Sequence, residues 1–275
     1  MERRLVRQGR NAITMTLPAV WVKSHGLKAG DAVQVEPKNT ELVITTSRTA
    51  PSSAATIDGS SLEESMVWHV LNGKYIEGYD TITILHPPAS LPQKVSGHLL
   101  GMIVEEQTPS KVVIKSIIVV PEDNFEALFR RIMHMFVRQS ALLIDLTERK
   151  VSLDGIKEQE RLLDANVYYA LRFLSKYENH AHAYRFFLLC SIIEEAADQL
   201  SSIAKFIGKD RRLAMDIHRH VEVYSKCLFS KDLLLLYTSL RSFRNAHKSK
   251  SFVDGLVYSF ADCLYNNIGY LLAVD

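Results

Sequence analysis

The first 46 residues constrain this chain most, because they place strand and helix signals in a segment too short to bury a core. Apolar residues alternate with alanine and threonine over residues 12–17, which predicts a half-buried strand. Pro18 favours the first turn of a short helix, and Gly26 is placed to end that helix. One earlier strand and two strands around a turn at residues 37–40 complete a β-β-α-β-β order.

A segment of this size is not expected to fold as a single copy. Fewer than about 50 residues bury too little apolar surface to offset the chain entropy, unless a disulfide, a metal or a second copy adds stability. The segment contains no cysteine, so a disulfide cannot supply that stability. We therefore expect two chains to interleave their strands in a homodimer.

The same segment is basic, although the whole chain carries a net charge of only +2. Residues 1–30 contain six basic residues and one acidic residue. A dimer would place two copies of the arginines on one surface, which favours contact with double-stranded DNA; the alternative is a solvated strand face. We expect Arg7 and Arg10, which flank the first turn, to contribute most. The candidate DNA-binding residues are Arg3, Arg4, Arg7, Arg10, Lys23 and Lys28.

Composition and motifs argue against several other classes of protein. The three cysteines are far apart and none forms a CxxC pair, which favours a reducing cytoplasm over a disulfide framework. The polar N-terminus lacks the features of a signal peptide, and no run of about 18 apolar residues predicts a membrane span. Because no phosphate-binding loop, nucleophile elbow or dinucleotide fingerprint is present, we do not expect an enzyme.

The rest of the chain divides by composition into three parts. Residues 47–60 are rich in serine, threonine, alanine and proline, which predicts a linker. Residues 61–120 alternate helix and strand patterns, which predicts a small α/β connecting domain. Residues 121–275 show helical periodicity and predict two groups of three helices, so we expect a multidomain, mainly α protein. The six candidate helices span about 122–148, 153–177, 181–207, 210–228, 231–246 and 250–272.

Two pairs of carboxylates are the candidate metal ligands. Glu160 and Asp164 are four residues apart, as are Glu194 and Asp198, so each pair lies on one face of its helix. Two such helices side by side would offer four carboxylates to a hard or borderline cation. The alternative is a solvated acidic face on each helix.

Two histidine pairs and one aromatic run are weaker candidates. His218 and His220 point about 200° apart on a helix and are not expected to share an ion. His180 and His182 lie at a helix start, where exposed histidines are the better interpretation. The aromatic run "VYYALRFLSKYE" favours packed core over a binding site.

Two family resemblances follow from these motifs. The segments "ITMTLP", "AVWVKSHGL", "KAGD" and "VQVEP…ELVIT" resemble the AbrB, MazE and SpoVT class of swapped-hairpin DNA-binding domains. The helices containing "ERLLDANVYYAL" and "IIEEAADQLSSIAKFI" resemble the PhoU bundles of phosphate-uptake regulators, whose paired carboxylates imply iron or zinc clusters. The segment "YIEGYDTITI" resembles the region that connects the two in AbrB–PhoU fusions of archaea. Only the first three-helix group keeps the carboxylate pairs.

The resemblances imply two main functions and one lesser alternative. In the first, a dimeric transcription regulator binds DNA while its helical domain receives a signal or a partner, such as a phosphate-transport or sensor protein. In the second, the hairpin module only dimerises and the protein is an adaptor that acts through protein contacts. A third possibility is an antitoxin-like protein, although the large folded region argues against it.

Overall fold

The computed structural model describes residues 2–9, 12–38, 41–45, 53–118, 125–177, 180–248 and 251–268. The chain divides into two compact units, Met1–Ser53, called here the N-terminal unit, and Ala54–Asp275, called the body. Helices make up most of the described structure, and the strands lie in the first 116 residues.

The N-terminal unit has the predicted order of elements. Its strands form two separate antiparallel hairpins, in which β1 pairs with β2 and β3 pairs with β4. Gly26 and Gly30 have φ angles of 61° and 97°, a region that glycine adopts without strain, which confirms the predicted turns. The elements are β1 (Val6–Gln8), β2 (Ala12–Thr14), α1 (Ala19–Ser24), β3 (Gln34–Lys38) and β4 (Glu41–Thr45).

One predicted turn differs from the structure. Pro37 and Lys38 were expected in the second turn but belong to β3, where they pair with Leu42 and Glu41. A two-stranded hairpin leaves one edge of each strand without a partner, so a residue that lacks an N–H is tolerated there.

The N-terminal unit has no buried side chain among those that the structure describes. Leu5, Ile13 and Val20 are 69%, 68% and 77% exposed, and Val6, Met15, Val35 and Leu42 are also exposed. A core of its own is therefore missing from the described part of this unit, as the short sequence predicted.

The body begins with an α/β layer. Its sheet has the strand order β5-β6-β8-β7, with β5 parallel to β6 and the other pairs antiparallel. Two helices pack with this sheet around a shared core, which includes Leu71, Tyr75, Ile84 and Ile114. The elements are β5 (Ala54–Asp58), α2 (Glu64–Ile76), β6 (Thr81–Leu85), α3 (Leu91–His98), β7 (Met102–Gln107) and β8 (Lys111–Ser116).

The linker predicted at residues 47–60 is wrong over its second half. Ala54–Asp58 forms the edge strand β5, and its Ile57 is buried in the α/β core. The alanines and the threonine of this strand resemble a linker, but pairing with the distant strand β6 overrides that local preference. Residues 46–52 lie outside the described residues.

Six helices follow in the described part of the chain, and they confirm the six predictions there with small differences at the ends. Residues 122–124 of the first predicted helix and 269–272 of the last lie outside the described residues. Asp210, Asp232 and Ser251 cap three of the helices by accepting hydrogen bonds from backbone amides, which explains where these helices begin. The helices are α4 (Phe125–Thr147), α5 (Leu153–Tyr177), α6 (His180–Ala204), α7 (Arg211–Ser230), α8 (Leu233–Ala246) and α9 (Phe252–Asn266).

The two predicted groups of three helices share one core. Helix α4 packs against α7 and α6 packs against α9, so the groups are joined along two helix pairs. Buried side chains from all six helices form one continuous cluster. None of the helices in the described part of the chain combines the length and the apolarity that crossing a membrane requires.

Helix α5 joins the helices to the α/β layer, because it packs against both α2 and α3. Arg172 is 3% exposed and donates hydrogen bonds to the carbonyl oxygens of Tyr75 and Tyr79, each at 2.8 Å. Asp80 accepts from Arg172 at 3.3 Å and forms a close ion pair with Lys176. A buried arginine thus satisfies backbone groups at the end of α2 and in the turn that leads to β6.

Candidate functional site

The four predicted carboxylates lie on two helices that pack against each other. Glu160 and Asp164 are one turn apart on α5, and Glu194 and Asp198 are one turn apart on α6. Apolar neighbours of these residues point into the shared helical core, so the carboxylates are held at its boundary. The spacing of four residues brings each pair to one face, as the sequence predicted.

The structure brings three of the four carboxylates together. One carboxylate oxygen from each of Asp164, Glu194 and Asp198 lies within 4.8 Å of the other two. We call these three residues the carboxylate cluster. Glu160 stands outside the group of three but can share a hydrogen bond with Asp198 when one of the two carboxyls is protonated.

Burial and mutual repulsion raise the pKa values in the cluster. Burial, followed by the negative charges of Asp198, Glu194 and Glu160, raises the pKa of Asp164 to about 8. Burial and the hydrogen bond with Glu160 raise the pKa of Asp198 to about 6. The pKa of Glu194 is also raised, first by burial and then by Asp198. Without a cation, Asp164 therefore holds a proton near neutral pH.

Hydrogen bonding leaves part of the cluster unsatisfied. The Oδ1 atom of Asp164 is buried and has no hydrogen-bond partner. Tyr168, one turn further along α5, donates from its hydroxyl to Oε1 of Glu194 at 3.3 Å. In the part of the chain that the structure describes, no lysine or arginine forms an ion pair with any of the four carboxylates.

The donor set fits a divalent cation. Three carboxylates converge, one of them has a buried oxygen without a partner, and oxygen ligands suit hard cations. A bound divalent cation would offset most of the negative charge of the cluster and would link α5 to α6. The residues that would hold it are Asp164, Glu194 and Asp198.

The candidate DNA-binding residues are exposed where they are described. Arg3 and Arg4 precede β1, and Arg7 lies within it, opposite Ile13 on β2. Arg10 lies outside the described residues. Lys23 is in the last turn of α1, and Lys28 follows that helix.

The histidines have separate partners rather than a shared site. His218 Nδ1 lies 2.9 Å from the Ser140 hydroxyl, whereas the ring of His220 stacks on Phe243 at 4.1 Å between centroids. Burial lowers the pKa of His220. The side chains of His180 and His182 lie outside those described.

Sequence reasoning missed two residues of α5. Tyr168 contacts the carboxylate cluster, and Arg172 contacts the α/β layer. Tyr168 and Arg172 were included in the aromatic run assigned to packed core. Tyr168 does pack against the core, but its hydroxyl also contacts Glu194. The signal that could have identified both residues is their spacing, because they continue the four-residue interval of Glu160 and Asp164.

Comparisons with family models, curated proteins and solved structures find no match to this chain.

Proposed function

We propose that this protein is a dimeric, DNA-binding transcription regulator whose body receives a signal. In this proposal the N-terminal unit is a swapped-hairpin module of the AbrB type, and the body contains a PhoU-like helical domain. The signal enters through a cation at the carboxylate cluster or through a partner such as a phosphate-transport protein. No catalytic step is part of the proposal.

The observation that carries the proposal is that no side chain is buried in the described part of the N-terminal unit. Its apolar side chains, Leu5, Ile13 and Val20 among them, are exposed, and over the described residues its two hairpins form separate sheets. An isolated two-stranded hairpin is marginally stable in water. A second copy that interleaves its hairpins would pair the strand edges and would bury these side chains.

Dimerisation also explains how a few arginines can bind DNA. Arg3, Arg4 and Arg7 are exposed on one short stretch of chain. A two-fold axis doubles this set, and each arginine can contact a phosphate or read a guanine edge. The basic surface and the apolar surface therefore support one assembly.

The adaptor remains the competing function. The exposed apolar side chains of the N-terminal unit favour pairing of two chains whether or not DNA is bound. In an adaptor the arginines would be solvated, and the body alone would carry the function. A DNA-binding regulator should bind DNA with an affinity that falls as salt rises, whereas an adaptor should not bind DNA.

A salt titration of DNA binding tests the proposal. Binding to the DNA upstream of the protein's own gene should weaken as salt rises, because bound arginines displace counterions. The Arg7→Ala/Arg10→Ala double variant should show a shallower slope, by about 1 for each phosphate that the variant no longer neutralises. The matched control replaces Arg138 and Arg241, two exposed arginines of the body, and should retain the wild-type slope.

Two outcomes would reject DNA binding. One is no binding at low salt, and the other is an unchanged slope in the Arg7/Arg10 variant. Sedimentation of the same samples should give twice the mass of the chain. A dimer that does not bind DNA would favour the adaptor.

A further inference from the structure

Five polar residues follow one another at intervals of four along α5. Each interval advances about 6 Å along the helix and rotates the side chain by about 40°. The row therefore winds from the α6 side of the helix towards the α/β layer. The residues are Glu160, Asp164, Tyr168, Arg172 and Lys176.

Tyr168 is the middle residue of this row and contacts both the carboxylate cluster and the α/β layer. Its hydroxyl donates to Glu194, a member of the carboxylate cluster, at 3.3 Å. Its ring packs against the helical core and against the core of the α/β layer. A movement of Glu194 can therefore change the packing of the layer.

The second half of the row fixes α5 to that layer. Arg172 is buried, and its guanidinium lies 5.0 Å from the ring centroid of Tyr75 while donating to the carbonyl oxygen of the same residue. Tyr75 in turn donates to the carbonyl oxygen of Leu100 at 2.7 Å. These contacts join α5 to α2 one turn beyond Tyr168 on the same helix.

We propose that Tyr168 is a positioning residue that couples cation binding at the carboxylate cluster to the packing of the α/β layer. The inference rests on the cation binding proposed above. In the cation-free cluster, the hydroxyl of Tyr168 holds Oε1 of Glu194. A cation shared with Asp164 and Asp198 attracts the same carboxylate, and the side chain that orients it must adjust.

The coupling acts in both directions. If a bound cation shifts the equilibrium between two packing states around Tyr168 by some factor, then a change between those states alters cation affinity by the same factor. Partners that orient a metal-binding carboxylate commonly contribute about 10- to 100-fold in affinity, by the general rule for such contacts. Since the α/β layer starts at β5, directly after the N-terminal unit in sequence, it is the part of the body that joins the two units covalently.

Tryptophan fluorescence can test the coupling in the full-length chain. Trp68 packs against the α/β core, and Trp21 belongs to the N-terminal unit, so a Trp21→Phe background isolates the signal of the layer. The probe is Mn²⁺, a divalent cation that favours carboxylate ligands, with free Mn²⁺ followed by electron paramagnetic resonance. Binding and the response of the layer are then measured separately.

We expect Mn²⁺ to change the emission of Trp68 in the parent protein. The Tyr168→Phe variant should bind Mn²⁺ about 10-fold more weakly and should show no Trp68 response at saturation. The matched control is Tyr224→Phe, which removes the hydroxyl of a buried tyrosine in the helical core alone. The control should retain both the affinity and the response.

The outcomes separate this inference from the function on which it rests. Mn²⁺ binding without a Trp68 response in the parent, or an equal response in Tyr168→Phe, overturns the coupling but leaves the cation site. Absence of Mn²⁺ binding overturns both, while DNA binding by the N-terminal arginines is judged by the salt titration. If the Trp21→Phe chain folds poorly, hydrogen exchange of β6 and α2 in the wild-type chain, with and without Mn²⁺, decides the question.

Discussion

The α8–α9 and α5–α6 helix pairs each place an aspartate where the two helices pack together. Among the described residues, an arginine pairs with the aspartate of α8–α9, whereas no lysine or arginine forms an ion pair with that of α5–α6. In α8–α9, Asp262 accepts hydrogen bonds from Arg244 Nη1 and Asn266 Nδ2, each at 2.8 Å. The Arg244 guanidinium also lies 4.0 Å from the ring centroid of Tyr265. Arg244 therefore supplies a positive charge to Asp262 from within the chain.

In α5–α6, Asp164 is surrounded by like charges. Its neighbours in the cluster are Glu194 and Asp198, and its buried Oδ1 atom accepts no hydrogen bond. Burial and these charges raise its pKa to about 8, so a proton or an external cation must supply the missing positive charge. The comparison indicates that Asp262 has its counter-ion within the chain, although Arg244 Nε is buried without a hydrogen-bond partner. Among the described residues, no lysine or arginine forms an ion pair with Asp164.

The largest expected effect is on cation binding. Replacing both Asp164 and Asp198 with asparagine removes two of three charged ligands, and Mn²⁺ affinity should fall by at least about 100-fold. Metal analysis and electron paramagnetic resonance measure the loss. The matched control is Asp262→Asn, which should leave Mn²⁺ binding unchanged because Arg244 already occupies that carboxylate. Equal losses in both proteins would abolish the distinction between the two helix pairs.

The next largest effect is a loss of stability when the ion pair of α8–α9 is broken. Arg244→Met leaves Asp262 without its cation, and the free energy of unfolding should fall by about 2 kcal/mol, a usual value for a charged hydrogen bond. Denaturant unfolding measures the change. Arg241→Met is the control, because Arg241 is exposed, and it should change stability by less than about 0.5 kcal/mol. If Arg244→Met has no larger effect than the control, the ion pair does not stabilise the fold.

Asp164→Asn should raise the free energy of unfolding at alkaline pH, whereas Arg244→Met lowers it. The folded state holds a proton on Asp164 up to a pKa of about 8, whereas the ordinary value is 3.8. The stability that this proton confers is complete below about pH 4 and is lost as pH rises through about 8. In the presence of a chelator, the variant should therefore be more stable than the wild type by about 1 kcal/mol at about pH 8.5, within the range of stabilising site substitutions.

Unfolding midpoints measured from about pH 4.5 to about pH 8.5 check this sign. The difference between the Asp164→Asn variant and the wild type should be smallest at the acidic end and should increase with pH. A constant difference, or one that decreases, would mean that Asp164 does not hold a proton in the folded protein.

The helices could be predicted from the sequence because they depend on local spacing, and the same spacing places each carboxylate pair on one helix face. The first long helix shows apolar residues three and four apart from Phe125 to Val137, and this periodicity alone places one face in the core. The interval of four residues also places Glu160 beside Asp164 and Glu194 beside Asp198. Which carboxylates meet across two helices depends on their packing, so the separation of Glu160 from the group of three could not be predicted.

The missed features depend on interactions between distant parts of the chain. Arg172 donates to Tyr75, 97 residues earlier, and no local pattern indicates that an arginine should be 3% exposed. The hydroxyl of Tyr168 reaches Glu194, which is 26 residues later. Likewise, β5 was assigned to a linker because its partner β6 lies beyond an intervening helix. Sequence patterns describe one element at a time, whereas these features need two.

The smallest change in stability comes from giving α5–α6 a positive charge of its own, as Arg244 gives α8–α9. Asp198 is the exposed member of the cluster, and Asp198→Arg would place a guanidinium beside Asp164 and Glu194. A permanent positive charge favours the ionised carboxylates, so the loss of stability between about pH 4 and about pH 8 should disappear. Near neutral pH the net change in stability should be only about 0.5 kcal/mol, because a partly exposed ion pair contributes little. Mn²⁺ binding should be abolished at the same time, and a variant that still binds Mn²⁺ would show that cation and guanidinium do not compete for one site.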